Sequence, residues 1–281
     1  MSNTSSNTLW LIFGGHGWIG GQFCELLKEN NISYEIPSFR MDDTVELRHY
    51  LSTCSPSRVV SFIGRTHGCG YTTIDYLEQG RPQLNENVRD NLFGPLQCAV
   101  LCKEFGIHFT YLGTGCIFSY DRDHPLEDKS QFRDMSSLRG FTEEEEPNFF
   151  GSSYSIVKGY TDRLFHLFPE NVLNLRIRMP ITEDFSSPRN FITKIITYEK
   201  VCSIPNSMTV LPDMFPIMME MIQQSKSGTY NLTNPGVISH NEILDMYKEF
   251  IDPTFTYQNF TAEEQAKILK ADRSNNALDT T

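Results

Sequence analysis

The sequence predicts an α/β fold, a Rossmann-type doubly wound parallel sheet with a smaller C-terminal substrate-binding lobe. Short apolar runs alternate with helical segments through the first 178 residues, which is typical of parallel strands covered by helices on both faces. The first apolar run breaks at a glycine-rich turn that opens a helix. After Pro180 the alternation ends and separate helices follow. These three observations favour one large sheet domain followed by a smaller lobe.

The elements of the sheet domain follow one another in a regular order. Residues 9–13 form the first apolar run, the glycines occupy 14–20, and Trp18 to Glu29 has a helical pattern. Further buried strands are expected at 58–63, 107–112 and 172–178, with a helix over 92–105. We assign residues 1–178 to this domain and expect part of 209–235 to return to it.

The remaining residues, 179–281, are expected to form mainly the smaller lobe. A helix is predicted over 188–199, and a loop running into a short strand over 204–211. Ser239 with Glu242, and Thr261 with Glu264, match the capping box that opens a helix. The long polar segment 119–147 predicts either a lid or a mobile loop.

Composition excludes several classes of function. The net charge of −11 argues against a nucleic-acid or anionic-membrane surface. The polar first eight residues predict no signal peptide, and no apolar run approaches the roughly 18 residues of a membrane span. Seven scattered cysteines without zinc spacing favour reduced thiols and no metal. We therefore expect a cytoplasmic location.

The glycine turn predicts a dinucleotide site. Gly14 allows the tight turn, Gly17 lets the backbone approach a pyrophosphate, and Gly20 permits close helix packing. The amides at the start of the helix and its dipole then bind the phosphate charge. The predicted cofactor-binding residues are Gly14, Gly17, Trp18, Ile19, Gly20, Arg40, Ile63, Gly64, Asn91, Tyr154 and Lys158.

The residue that ends the second strand favours NADPH over NADH. An NAD site usually carries an Asp or Glu about 20 residues past the glycines. Arg40 stands twenty residues past Gly20, and a guanidinium suits a ribose phosphate. Glu35 is the alternative side chain if the strand is short.

A second group of residues predicts carbonyl chemistry. Tyr154 and Lys158 lie four residues apart, so a helix places both on one face. A phenol ordinarily ionises near pKa ~10, and a neighbouring cation is expected to lower the pKa of Tyr154 so that it can protonate a ketone oxygen. Thr114 ends an upstream strand and would hydrogen-bond the same oxygen. Cys116 follows two residues later and adds a second reactive group.

The Tyr-x-x-x-Lys pair matches the catalytic helix of the short-chain dehydrogenase/reductases. Several longer strings resemble one branch of that superfamily, the nucleotide-rhamnose synthases, and are similar to the bacterial dTDP-4-dehydrorhamnose reductases. Those strings are 113–118, 147–155, 175–181, 188–194, 204–208, 233–243 and 273–279. The spacing from Thr114 to Tyr154 is longer than usual for the family, because of the polar region 131–139. The chain also stops at Thr281, where relatives continue into a short helical tail.

The resemblance implies a bifunctional 3,5-epimerase/4-reductase that turns UDP-4-keto-6-deoxy-D-glucose into UDP-L-rhamnose with NADPH. In the related GDP-fucose synthases a cysteine at the position of Cys116 is the epimerase base. Their acid is a histidine in the segment 188–195, where this chain has Asn190. Lys194, one helical turn later, is the predicted acid, and His67 and His240 are alternatives.

The resemblance also implies where substrate and partner bind. Lys158 would hold the nicotinamide ribose, and Asn91 would support the active-site backbone. A homodimer through the Tyr154 helix is expected, and the choice between UDP and dTDP is left open. The predicted substrate-binding residues are Asn190, Phe191, Ile204, Asn206 and Met208 for the nucleoside and Arg273 for the diphosphate.

Three other functions are compatible with parts of the pattern. A 4-keto reductase without epimerase activity would use Cys116 only for packing. A sugar 4,6-dehydratase needs an Asp-Glu pair directly after the catalytic Thr, and Gly115 and Cys116 stand there instead. An NADPH-sensing regulatory protein without turnover commonly lacks the Tyr or the Lys, and both are present.

Overall fold

The computed structural model of the chain describes residues 9–126 and 139–281. A six-stranded sheet forms its centre, in the order β2-β1-β3-β4-β5-β9, and all neighbouring strands are parallel. The predicted doubly wound parallel sheet is therefore confirmed. Its strands are β1 (Trp10–Phe13), β2 (Tyr34–Glu35), β3 (Arg58–Ser61), β4 (His108–Thr114), β5 (Val172–Ile177) and β9 (Gly228–Asn231).

Helices cover both faces of this sheet. Those of the sheet domain are α1 (Trp18–Glu29), α2 (Thr44–Cys54), α3 (Arg81–Val88), α4 (Gly94–Glu104), α5 (Ser153–Phe165) and α7 (Leu211–Gln223). Strand β1 shows why the strands are apolar throughout: Leu11 and Phe13 belong to the core on one face, and Trp10 and Ile12 to the core on the other. Because both faces are buried, no polar alternation remains.

The segment 209–235 contributes to the large sheet. Helix α7 packs in the same core as β1 and β5, and β9 pairs with β5 at Leu173 and Gly228. Alongside, the other parts of residues 179–281 contribute a second core around Ile195 and Leu244. The elements there are β6 (Pro180–Ile181), α6 (Phe191–Ile196), β7 (Lys200–Val201), β8 (Thr209–Val210), α8 (His240–Phe250), β10 (Gln258–Asn259) and α9 (Ala262–Ile268).

Both predicted capping boxes are present, and both open helices. Two predicted helices differ in extent. The helix expected over 92–105 is preceded by a π-helical turn, Arg89–Phe93, so that α4 begins at Gly94. The helix expected over 188–199 is only α6, because Asn190 caps it with its own side chain. Most of the polar region 131–139, and with it part of the predicted loop 119–147, lies outside the described residues.

Residues 273–279 run through the interior as an extended segment, here called the C-terminal strap. Its backbone bonds to Tyr120, Phe141 and Ser207, with N···O distances of 2.8, 2.9 and 3.1 Å. The strap thereby joins the described ends of the 119–147 loop to the smaller lobe. No helix in the described ranges is long and apolar enough to cross a membrane.

Candidate active site

The turn after β4 carries the first two reactive groups. Thr114 is the last residue of β4, and its Oγ1 accepts the backbone N–H of Cys116 at 3.0 Å. The strap holds this turn from behind, since Asn276 Nδ2 donates to the carbonyl of Gly115 at 2.9 Å. A Cβ on Gly115 would lie 2.6 Å from Leu278 and 2.9 Å from Arg178. Only glycine fits there, and the half-buried Cys116 is fixed at the mouth of the turn.

Tyr154 and Lys158 face the turn from the first half of α5, and both are buried. Burial raises the pKa of Tyr154, and the nearby Cys116 adds to the rise, while a hydrogen bond to Thr114 and the charge of Arg178 lower it in part. The expectation of a lowered pKa for Tyr154 is therefore wrong. The phenol stays protonated, which is the state a proton donor needs.

Lys158 does not reach Tyr154 in this structure. Its Nζ donates a hydrogen bond to the hydroxyl of Tyr111 and lies 4.3 Å from the centroid of that ring. Burial lowers the pKa of Lys158 to about 7, although the carboxylate of Asp162 acts in the opposite direction. Lys158 is thus poised between its two protonation states near neutral pH.

A cavity of about 600 Å³ unites these groups with the glycine turn. Its volume lies in the usual range for small-molecule sites. It is lined by all five residues predicted to be catalytic, Thr114, Cys116, Tyr154, Lys158 and Lys194. It also contains the predicted cofactor residues Gly14, Gly17, Trp18, Ile19, Gly20, Ile63 and Gly64.

Lys194 is the best placed of the three candidate acids. It enters the cavity from α6, and its pKa is lowered by burial and by the positive charges of Arg189 and Arg273. His67 and His240 line the same cavity, but burial lowers the pKa of each to about 4. Both imidazoles are therefore neutral at physiological pH and carry no extra proton to donate.

The glycine turn has the geometry of a phosphate cradle. Gly14 adopts a φ of +77°, and a Cβ on Gly20 would lie 2.3 Å from the carbonyl oxygen of Gly14. Helix α1 begins directly afterwards, and its N-cap Gly17 offers no side chain to its first amides. Those amides remain available for a phosphate.

A second cavity of about 340 Å³ is also lined by the glycine turn and reaches from there to Arg40. Arg40 donates to Asp42 at 2.8 Å and to Asp90 at 2.6 Å. Arg65 and Arg89, which the sequence patterns missed, line the same cavity and also pair with Asp90. Three guanidinium groups at this end fit the ribose phosphate of NADPH.

Two other sequence expectations at the cofactor end need correction. Glu35 lines neither cavity and instead accepts a hydrogen bond from the Tyr50 hydroxyl at 2.5 Å. Asn91 also lines neither cavity. Its side-chain amide is buried and forms two 2.9 Å bonds with the backbone of Arg65. Asn91 supports the loop after β3 and does not contact the cofactor space.

Of the predicted substrate residues, two line the main cavity and four do not. Phe191 and Arg273 line the main cavity, whereas Asn190, Ile204, Asn206 and Met208 do not. The fully buried Asn190 caps α6 and donates to two backbone carbonyls at 2.8 and 2.9 Å. Asn206 is also fully buried, and Met208 belongs to the core of the lobe. The predicted nucleoside contact is therefore wrong for Asn190, Asn206 and Met208, because their side chains are used within the protein. For the half-buried Ile204 it stays a prediction.

Arg273 is constrained by an acidic partner. Its guanidinium pairs with Asp75, which also accepts the backbone N–H groups of Lys270 and Ala271 at 2.9 and 3.0 Å. Burial acts to raise the pKa of Asp75, but the bonds from Arg273, Thr73 and Ala271 outweigh it and lower the pKa to about 2. The pair fixes Arg273 at the rim of the cavity.

Sequence reasoning missed several lining residues, namely Arg189, Tyr198, Ser274 and Asn275. Arg189 is adjacent to the predicted Asn190, and its charge is a signal that could have found it. Ser274 and Asn275 stand in the family-like string 273–279, which does not indicate which of its residues face the cavity, and Tyr198 carries no motif. Across residues 9–126 and 139–281, no group of three or more His, Cys, Asp or Glu could hold a metal ion.

Comparison with known proteins finds similar chains and structures, although no family model matches the chain. Protein L780 of Acanthamoeba polyphaga mimivirus is 52% identical over 271 residues, which is 96% of this chain and 90% of that protein. A crystal structure of the L780 UDP-rhamnose synthase from that virus has a TM-score of 0.89 at 52% identity, covering 97% of this chain and 91% of that one.

Two further relatives extend the comparison. A bifunctional dTDP-4-dehydrorhamnose 3,5-epimerase/dTDP-4-dehydrorhamnose reductase of Arabidopsis thaliana is 46% identical over 279 residues, 99% of this chain and 87% of that protein. A dTDP-4-dehydrorhamnose reductase from Bacillus anthracis, in complex with NADP, has a TM-score of 0.74 at 16% identity and covers 96% of this chain and 88% of that one. At that identity the likeness concerns the fold.

Proposed function

Because the chain belongs to the nucleotide-rhamnose synthases of the extended short-chain dehydrogenase/reductase superfamily, we propose that it converts UDP-4-keto-6-deoxy-D-glucose to UDP-L-rhamnose. The reaction comprises epimerisation at C3 and C5 followed by reduction of the C4 ketone with NADPH. The observation that carries the proposal is the single cavity that holds Cys116 and Lys194 together with Thr114, Tyr154 and Lys158.

Epimerisation uses the acidity that a C4 ketone gives to the hydrogens on C3 and C5. Cys116 removes a proton, the electron pair moves to the ketone oxygen, and an enolate forms. Thr114 and Tyr154 stabilise that oxygen by hydrogen bonds. Lys194 returns a proton to the carbon from the other face, a task for which its lowered pKa suits it.

Reduction uses the same oxygen-binding groups. NADPH, when bound along the glycine turn, supplies the hydride that C4 receives. Tyr154 protonates the oxygen, because its raised pKa keeps the phenol in the acid form until that moment. Lys158 orients the cofactor ribose from the next turn of α5. One oxygen site therefore serves both chemistries.

The nucleotide of the substrate extends toward the smaller lobe. Arg189 and Arg273 line that end of the cavity and would contact the diphosphate, while Phe191 offers an aromatic face to the pyrimidine. Preference for UDP over dTDP is proposed from the 52% identical UDP-rhamnose synthase. Comparison of kcat/KM for the two nucleotides of the same sugar tests this preference.

We further propose a homodimer through α5 and a cytoplasmic location. Tyr160 on α5 and Leu167 just beyond it are 60% and 65% exposed, and Val100 on the neighbouring α4 is 41% exposed. Apolar side chains on adjacent helices are what a second copy would cover. The seven cysteines are all free thiols, which supports a reducing compartment.

The decisive experiment is turnover of UDP-4-keto-6-deoxyglucose with NADPH in heavy water, with the product sugar identified by NMR. We expect L-rhamnose that carries solvent deuterium at both C3 and C5. A D-configured 6-deoxyhexose without that deuterium would show a plain reductase. Tight NADPH binding without turnover of any 4-keto sugar would instead favour the regulatory protein.

Cys116→Ser separates the two activities. We expect it to lose deuterium incorporation by at least ~10²-fold, because an alcohol is a far weaker base at neutral pH, while the already epimerised ketone is still reduced. Substitution of the buried Cys98, which faces Cys102 in the core, by Ala is the matched control for loss of a thiol. Unchanged deuterium incorporation in Cys116→Ser would assign the base to another group.

A further inference from the structure

Arg178 lies directly after β5 and is fully buried, yet none of the described carboxylates forms an ion pair with it. Its guanidinium donates to Ser274 Oγ at 2.8 Å, to the carbonyl oxygens of Gly115 and Ser274 at 3.4 and 3.2 Å, and to the side-chain oxygen of Asn206. These acceptors are all neutral. Burial of a cation without an anion is costly, so a functional partner is to be expected.

The remaining contact of this guanidinium is the Cys116 sulfur, which accepts a hydrogen bond from Nη1 at 3.3 Å. Sulfur accepts weakly as a thiol and much better as a thiolate. The thiolate is also the form that can remove a proton from carbon. Cys116 as a thiolate would therefore supply the missing charge.

Arg176, two residues earlier in β5, provides the internal contrast. It is equally buried, but its Nε and Nη2 donate hydrogen bonds to the Asp162 carboxylate at 2.8 and 2.7 Å. One strand end thus carries two buried guanidinium groups, one neutralised by a carboxylate and one facing the reactive thiol. The neutralised group stabilises the fold, and the other remains free to respond to the charge on sulfur.

We propose that Arg178 is a positioning residue for epimerisation that holds the Cys116 sulfur as a thiolate and aims it into the cavity. The proposal rests on the proposed function for its chemical purpose, but the contact itself can be tested without substrate. The C–H bond at C3 or C5 breaks, its proton goes to sulfur, and its electron pair goes to the ketone oxygen. Lys194 then protonates carbon, and both groups exchange back with solvent before the second centre reacts.

The strap gives Arg178 its position. Ser274 Oγ accepts a hydrogen bond from the Arg178 guanidinium and donates one to the carbonyl of Phe118 at 2.6 Å. The side-chain oxygen of Asn206 accepts hydrogen bonds from Arg178 and from the backbone N–H of Asn276. The other titratable groups electrostatically coupled to Cys116 are Tyr154 and Lys158 from α5 and Lys194 from α6. Among the residues that the structure describes, only Arg178 is both fully buried and hydrogen-bonded to the sulfur.

The test is site-specific alkylation by uncharged iodoacetamide at pH 7.5, followed by mass spectrometry. The exposed Cys54 and Cys69 serve as internal references. We expect Arg178→Met to slow alkylation of Cys116 at least tenfold without changing the references, and Arg178→Lys to restore part of the rate. The rates should converge at pH 10.5, where thiols ionise without help.

Kinetics supply the second readout. In Arg178→Met the ratio of deuterium incorporation to reduction of the epimerised ketone should fall at least tenfold. Arg176→Met, the matched control, should destabilise the protein but leave Cys116 alkylation within twofold. If Arg178→Met does not fold, Ser274→Ala, which removes one acceptor, should slow Cys116 alkylation severalfold.

Unchanged Cys116 alkylation in Arg178→Met, or in Ser274→Ala where the former does not fold, would overturn the proposal. So would an equal loss of both half-reactions. Failure of the proposed function alone would look different, because turnover of the nucleotide sugar would be absent while the dependence of Cys116 alkylation on Arg178 persisted.

Discussion

At the residue scale, the predicted catalytic Lys158 pairs with a neighbour on the sheet. Lys158 donates to the Tyr111 hydroxyl, and burial places its pKa at about 7. The sequence predicted its position on α5 from the four-residue spacing. It could not predict Tyr111 as the partner, because that contact joins residues 47 apart.

From this arrangement we expect NADPH binding to depend on pH. As pH rises through about 7, Lys158 loses its proton and becomes a poorer donor to a ribose hydroxyl. We expect the Kd for NADPH to rise about tenfold more between pH 6.5 and 8.5 in the wild type than in Lys158→Met. Isothermal titration calorimetry in buffers of different ionisation enthalpy measures both the Kd and the proton uptake.

Lys103→Met is the matched control, since it removes an exposed lysine far from the cavity. It should bind NADPH with the wild-type pH dependence. Equal pH dependence in wild type and Lys158→Met would mean that another group is responsible.

At the scale of elements, the sequence located a helix start well where a capping box marks it and poorly at α6, where none does. Both capping boxes were found because hydroxyl and carboxylate stand at a fixed spacing. The start of α6 was missed, because Asn190 was assigned to the substrate although its side chain accepts the amide of Ile192. An asparagine at a helix start and one at a ligand look the same in sequence, and only burial separates them.

The ion pair between β5 and α5 should dominate the stability of that junction. Arg176 and Asp162 are both nearly or fully buried, and removal of one partner of such a pair costs about 3–5 kcal/mol, since the other charge is left alone. We expect Arg176→Met to lower the free energy of unfolding by about that amount in urea denaturation followed by circular dichroism.

The exposed pair of Arg48 and Glu104 is the matched control. Arg48→Met should change the free energy of unfolding by less than about 1 kcal/mol, because water already solvates both charges. A similar effect of the two substitutions would contradict the assigned difference in burial.

At the scale of the whole molecule, the parallel sheet could be predicted from the alternation of apolar runs and helical segments, and the glycine turn from the spacing of its glycines. The strap could not be predicted in this way. Residues 273–279 carry no periodic pattern, yet they complete the walls of the cavity through Ser274 and Asn275. Their effect comes from contacts with residues far away in the chain, such as Gly115 and Phe118. The periodicity of a local segment does not predict contacts with residues far away in the chain.

The ion pair between Asp75 and Arg273, at the start of the strap, predicts that part of the free energy of unfolding is lost in acid. The pKa of Asp75 is about 2 in the folded protein and about 3.9 in an unfolded chain. Its contribution is complete above about pH 4 and is lost as the pH falls toward 2. We expect Asp75→Asn to lower the urea midpoint at pH 5, and to show a smaller further loss at pH 3 than the wild type shows. Parallel losses in both proteins would assign the acid sensitivity elsewhere.

The strap also imposes an order on synthesis. Ser274 follows Arg178 by 96 residues, and a ribosome adds roughly 5–20 residues per second. For roughly 5–20 s, therefore, the nascent chain contains Thr114, Cys116 and Tyr154 without the segment that contacts Arg178. From the proposed role of Arg178 we expect a partly translated chain to lack the support that Ser274 gives to this guanidinium, so that epimerase activity would arise only after the strap has joined the fold.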